Sequence, residues 1–180
     1  MKKILNTLLS FVTIFLMILI SACTGKPTGT KVVLNFELDK YLGTWYEIAR
    51  LDHRFERGLQ NVTANYSLRE DGGVRVINRG FNAKKNEWDQ AQGKAYLTGP
   101  PDVGRLKVSF FGPFYGGYNI LELDSKDYQY ALIAGPNRSY LWILSRTPEL
   151  PETVLRDLVK KARDMNFEVD KLIYVTHDDS

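Results

Sequence analysis

The chain has 180 residues, 44% hydrophobic, 12% aromatic and 25% charged, the size and composition of one folded domain. That composition excludes a disordered polyelectrolyte, a collagen-like repeat and a protein with several membrane spans. The net charge is +3, and without the first 22 residues, which carry Lys2 and Lys3, it falls to 22 basic against 21 acidic residues, so no basic face for nucleic acid is indicated.

At the N-terminus Lys2 and Lys3 precede an apolar run from Leu8 to Ile20, broken by Ser10 and Thr13 and followed by the small residues Ser21 and Ala22. This is the order of an export signal. The run is shorter than the ~20 apolar residues of a confident membrane span. Ile20-Ser21-Ala22-Cys23 resembles a bacterial lipobox, and the only cysteine of the chain stands at its end. The resemblance implies a lipoprotein signal peptide over 1–22, a lipidated N-terminus and flexible tether over 23–35, and a folded domain over 36–180. Several acyl chains on Cys23 would anchor firmly where one holds only marginally. Thr24 follows the cysteine in place of an acid, which points to the outer membrane, with the domain facing the periplasm.

After the tether, short β-rich runs alternate with turn signals. Strands are predicted over Trp45–Arg50, Val62–Leu68, Val74–Phe81, Gln90–Leu97, Arg105–Phe110, Tyr118–Leu123, Tyr128–Ala134 and Tyr140–Arg146. Val62, Ala64, Tyr66 and Leu68 alternate with Thr63, Asn65 and Ser67, and Asp71-Gly72-Gly73 is a hairpin turn. Phe110 to Gly117 reads as an aromatic, Gly-rich loop, fit to be a lid, a hydrophobic lip or a membrane contact. Short connections imply antiparallel neighbours, and eight such strands can close into an up-and-down barrel that either holds one small ligand or is filled by side chains. Pro151 opens a helix whose stripe of Val154, Leu155, Leu158, Val159, Ala162 and Met165 is a packing face, with Asn166 as its stop. That helix belongs outside the barrel wall, and a last strand over Leu172–Thr176 belongs at the sheet edge.

Tyr41-Leu42-Gly43-Thr44-Trp45-Tyr46-Glu47-Ile48 resembles the first signature of the lipocalins, in the subgroup that includes apolipoprotein D and the bacterial outer-membrane lipocalins. Ala64-Asn65-Tyr66-Ser67-Leu68 fits the same subgroup. Trp142-Ile143-Leu144-Ser145-Arg146-Thr147-Pro148 is similar to the third signature. The second signature is altered, with Lys126-Asp127-Tyr128 in place of Thr-Asp-Tyr. The resemblance implies an all-β, eight-stranded lipocalin barrel with structural roles for Gly43, Trp45 and Arg146. Trp45 would plug the closed end and Arg146 would lie across it, a cation–π contact worth ~0.5–2 kcal/mol.

Alternation nominates Ala64, Tyr66, Val76, Asn78, Val108, Phe110, Tyr140 and Trp142 as ligand contacts, with Ala95 and Leu106 beside them. Tyr118 joins them, although its strand is apolar on both faces. Asn78 and Trp142 also fall on positions that contact ligand in the resembling pattern. Connectivity gathers Arg50, Arg54, Arg57, Lys84, Lys85 and Arg138 at the open end, against Asp52, Glu56 and Glu87. This basic rim would favour an anionic head group. One cysteine and two histidines, His53 and His177, neither on an inward strand position, give no basis for a metal site, a cofactor or a matched acid–base pair.

The expected function is a lipid-anchored lipocalin that binds, transports or stores a fatty acid or lysophospholipid. A filled-barrel envelope protein and a lipid-modifying enzyme are the alternatives, and a homodimer stays open.

Overall fold

The computed structural model describes residues 24–178, so the expected signal peptide and Cys23 lie outside the described residues. A short helix, α1 (Leu38–Tyr41), leads into β1 (Gly43–Leu51), β2 (Leu59–Leu68), β3 (Val74–Asn82), β4 (Glu87–Leu97), β5 (Arg105–Phe111), β6 (Phe114–Leu123), β7 (Tyr130–Ala134) and β8 (Leu141–Ser145). Helix α2 (Glu152–Asp164), a short 3₁₀ turn (Val169–Lys171) and β9 (Leu172–Tyr174) complete the chain. From β1 to β8 each strand pairs antiparallel with the next, and β1 bonds both β2 and β8, which closes the barrel. Closure satisfies strand edges that would otherwise invite aggregation.

Strand β1 divides its bonding edge. Gly43 to Tyr46 pair with β2, whereas Ala49 to Leu51 pair with β9 on that same side of the strand. The last strand therefore fills the gap where β2 curls away. Asn61 N–H donates to the Thr176 carbonyl there, and the Asn61 amide donates to Asp178.

Two cores result. One lies inside the barrel around Trp45, Val74, Val76, Leu106, Ile120 and Ile133. The other lies between the outer wall and α2, where Leu158 and Ala162 meet Ala49, Leu132, Leu141 and Ile143. The stripe on α2 is thus a packing face, and Asn166, at φ 62°, stands where the helix has ended.

Two expectations are corrected. Phe114 to Gly117 belong to β6, with Phe114 opposite Phe111, so only Gly112 and Pro113 remain between β5 and β6. Glycines and aromatics misled the reading there, because strand pairing needs only the backbone. Thr24 to Lys31 are not a loose tether. Asn119 donates to the Gly25 carbonyl, Thr30 is buried with its hydroxyl on the Pro27 carbonyl, and Val33 N–H bonds Ile120. The segment lies along the barrel wall.

Candidate functional site

The barrel encloses a cavity of about 920 Å³, so it is not a filled barrel. Its closed end is built by α1 and the start of β1. Trp45 is fully buried and donates its indole N–H to the Tyr41 carbonyl at 2.8 Å. The Arg146 guanidinium lies 3.9 Å from the Trp45 ring centroid. It also donates to the carbonyls of Thr44 at 2.9 Å, Lys40 at 2.8 Å and Tyr128 at 3.2 Å. Gly43, at φ 95°, lets the chain turn under this cap; the nearest atom to a Cβ there would be Arg146 Nη1. None of these three residues lines the cavity.

Above this plug is a floor of tyrosines. The Tyr118 hydroxyl lies 2.6 Å from that of Tyr41 and 3.1 Å from that of Tyr66. Burial pushes the Tyr66 phenol up to about 12, and it pushes Tyr41 and Tyr118 well above the ordinary phenol range. All three are neutral donors and acceptors at any ordinary pH.

The walls are set by register. Ala64 stands opposite Asn78, and Tyr66 opposite Val76, so alternate residues of β2 and β3 face inward together. Ala64, Tyr66, Val76, Asn78, Val108, Phe110, Tyr118, Tyr140 and Trp142 all line the cavity. Tyr118, whose direction the sequence left open, points inward to the tyrosine floor.

The neck holds a polar cluster in which Asn78 and Trp142, nominated by alternation, meet Glu47, Arg50, His53 and Glu56, which alternation did not nominate. Glu56, from the β1–β2 connection, accepts a hydrogen bond from Trp142 Nε1 at 3.0 Å on Oε2. His53 Nε2 lies 2.9 Å from that oxygen, and the Asn78 amide reaches Oε1 at 3.5 Å. Buried Arg50 donates to Glu47 at 2.5 Å and to the carbonyls of Glu56 at 2.8 Å and Leu59 at 3.1 Å, stapling the connection to β1. Burial and the negative charge of Glu56 push the Glu47 carboxyl well above the carboxylate range. Burial would raise Glu56 too, but His53 and the Trp142 bond outweigh it and hold Glu56 below its ordinary value. Within the cluster Glu56 therefore gives up its proton more readily than Glu47.

The basic rim is corrected by this geometry. Arg50 is 1% exposed and ion-paired inside, and Glu56 is an interior acid rather than a rim acid. Arg57 is paired to Asp52 at 2.7 Å and Lys85 to Glu87 at 3.2 Å. Arg138 turns outward to the Met165 and Thr28 carbonyls. Of the six cations, Arg54, Lys84 and Arg138 have no ion-pair partner among the described residues, and Arg138 is the one of these three held by backbone carbonyls. The mouth is thus weakly basic outside and acidic at the neck. The expectation of no acid–base pair is also corrected, since His53 and Glu56 line the cavity in contact. No Ser, Thr or Cys side chain bonds His53 among the described residues. Glu47 carried a signal that was missed, because it stands two residues after inward-facing Trp45; His53 and Glu56 sit in a connection without periodicity.

The Lipocalin-like domain family model matches residues 36–177. Outer membrane lipoprotein Blc of Escherichia coli (strain K12) is 56% identical over 159 residues, covering 87% of this chain and 89% of that protein. The protein of the same name from Vibrio cholerae is 51% identical over 158 residues, covering 88% and 92%. Among solved structures, insecticyanin from the tobacco hornworm Manduca sexta superposes with a TM-score of 0.68 at 22% identity, covering 87% of this chain and 88% of that one. At that identity the last likeness concerns the fold.

Proposed function

The chain belongs to the lipocalin family, and from that premise we propose that it is a carrier anchored to the bacterial outer membrane through acylated Cys23. It binds a single-chain lipid, a fatty acid or lysophospholipid, tail inward, for transport or storage. The observation that carries this reading is the cavity of about 920 Å³, within the range of small-molecule sites, with apolar walls and a few convergent polar groups. The acyl tail would run past Trp142, Val108 and Val76 toward the tyrosine floor. No bond need be made or broken, so the reading is a carrier and not an enzyme.

The neck refines the head-group chemistry. A bare carboxylate beside Glu56 would set two like charges together in a partly dry site. Hydroxyl or ammonium donors would instead find an acceptor there. Lysophospholipids therefore suit the neck better, and a fatty acid would bind with its carboxylate displaced toward Arg54. The lipobox-like sequence and the relatives named outer membrane lipoproteins support the anchor and the outer-membrane placement, with the barrel facing the periplasm.

The test is saturable displacement of a fluorescent fatty acid by lysophospholipid from the purified protein, with palmitate labelling of the full chain in bacteria. Binding should saturate at one site, and Cys23→Ser should abolish the label. Failure to saturate would overturn the carrier reading, and label persisting in Cys23→Ser would overturn the anchor.

A further inference from the structure

The exposed phenylalanine and tryptophan side chains are not scattered, although Tyr174 is also exposed, on β9. Every Phe or Trp more than a third exposed among the described residues stands at the open end: Phe55, Trp88, Phe111 and Phe114. Phe111 and Phe114 flank the Gly112–Pro113 turn and are 73% and 78% exposed. Phe55, on the β1–β2 connection, is 59% exposed. These three line the cavity as well, so they surround one opening. The large exposed residues near the closed end are the aliphatic Leu34 and Leu68. An apolar cluster at a functional opening marks a surface made to meet something.

The course of residues 24–36 says what it meets. Phe36 N–H bonds the Asp102 carbonyl in the β4–β5 connection, at the closed end. Going backwards, Val33 lies beside Ile120, and Gly25 lies on Gly117 and Asn119 of β6. A Cβ on Gly117 would collide with the Gly25 carbonyl, so the glycine is what admits the chain to this groove. The segment thus climbs the wall from floor to mouth. Gly117 is three residues from Phe114, ~10 Å along a strand at ~3.3 Å per residue. Thr24, the first described residue and the sequence neighbour of Cys23, lies against Gly117 on this wall.

We infer that the barrel stands mouth-down on a phospholipid bilayer, with Phe55, Phe111 and Phe114 set into the lipid surface next to the acyl chains of Cys23. The inference rests on the anchored-carrier reading and adds an orientation to it. A wall-bound segment holds the mouth at the surface, where a long free tether would let the domain tumble. Cavity and bilayer then adjoin, and a lipid tail passes between them without crossing water.

Acylation consumes the native thiol, so a cysteine introduced into the lipidated protein is its only reactive one. Phe114→Cys and, for the closed end, Lys126→Cys are each labelled with an environment-sensitive nitrobenzoxadiazole dye. Each protein is then reconstituted into vesicles of phosphatidylethanolamine and phosphatidylglycerol. The dye at 114 should shift to the blue, brighten, and be quenched by nitroxide lipids; the dye at 126 should do none of these. Equal responses at both positions, or none at 114 in protein shown to carry its acyl chains, would overturn the orientation while leaving the anchor intact. Absence of acyl chains in the wild-type protein would be failure of the anchor itself. A blue shift at 114 that follows protein concentration instead of lipid would assign the rim to a second copy of the chain and likewise overturn the inference. As a second measurement, Phe111→Ser with Phe114→Ser in the unlipidated Cys23→Ser chain should lower its vesicle partitioning at least several-fold; unchanged partitioning would count against the rim.

Discussion

Replacing Glu56 by Gln should change head-group preference while leaving the shape of the cavity alone. The amide is nearly isosteric and keeps an acceptor for Trp142 Nε1, which donates to Glu56 at 3.0 Å. What disappears is one negative charge on a side chain only 10% exposed. Two unit charges 4 Å apart interact by ~4 kcal/mol at an effective dielectric of ~20. A head group that stops short of contact, with His53 in view, feels a fraction of this. We expect ~1.4 kcal/mol, which is tenfold in affinity. Palmitate should bind about tenfold tighter and lysophosphatidylethanolamine about tenfold more weakly, a swing of ~100-fold in their ratio. An uncharged fatty alcohol should move by no more than about twofold. The assay is competition against one fluorescent probe at two salt concentrations. Added salt should leave most of the swing in place, because buried charges are poorly screened. An unchanged ratio would refute the reasoning by placing the head group out of reach of Glu56. Equal losses for all three ligands would refute it too, by showing that Glu56 supports the cavity without reading the head group.

Trp45→Ala deletes a fully buried indole together with the ring under Arg146, and should cost ~3–5 kcal/mol in urea unfolding. Parent-like unfolding with lost ligand binding would place the plug in the binding site instead. Trp142→Ala should weaken charged and uncharged probes alike and reduce the fluorescence response to ligand, because Trp142 lies on the path of the tail; unchanged affinities would put the ligand outside the barrel. Leu158→Ala, at a site 2% exposed on the outer core, should cost ~2–5 kcal/mol with ligand affinity kept in the folded fraction. Loss of affinity in fully folded protein would show that the outer core shapes the cavity. Glu47→Gln tests the raised carboxyl of the neck. Burial and the charge of Glu56 raise Glu47 in the folded protein, so unfolding releases a proton once pH passes the unfolded carboxyl value of ~4.3. Stability then falls as pH rises toward the raised folded value, by up to ~1.4 kcal/mol per pH unit for one proton. Glu47→Gln should flatten that part of the profile, and parallel urea titrations between about pH 5 and 7 for the two proteins would refute it.

The strands were legible because alternation in Val62–Leu68 and glycine turns such as Asp71-Gly72-Gly73 are local signals. The wall residues followed from them, since pairing neighbours of one register face the same way. Arg50 was misread for a definite physical reason. The β1–β8 register shifts between Glu47 and Ala49, and Arg50 ends opposite inward-facing Trp142. One extra residue in a strand reverses which side chains point inward, and simple counting from Trp45 cannot see it. The wall-bound course of Thr24–Lys31 was hidden for another reason. Its partner Asn119 is 94 residues away from Gly25, and nothing in Gly25-Lys26-Pro27 announces it. Glu56 and His53 combine both difficulties, lying in a connection and meeting Trp142 only once the barrel has closed.

A barrel with a large cavity gives up part of its interior packing, and this chain has a single cysteine with which to compensate. The two cores resolve the conflict by separating tasks. Leu132, Ile143, Leu158 and Ala162 bury apolar surface outside the wall, where no ligand competes for it. Trp45 and Arg146 close the floor with hydrogen bonds to the carbonyls of Tyr41, Thr44 and Lys40. Both devices act on the wall and the closed end, so apolar burial does not have to be supplied by the mouth. That freedom is what allows ionisable groups at the neck and exposed phenylalanines at the rim. Each would be a liability in a packed core. On the proposed carrier reading, the ionisable groups meet a lipid head group and the phenylalanines a lipid surface, which accounts for chemistry that apolar burial in the two cores does not call for.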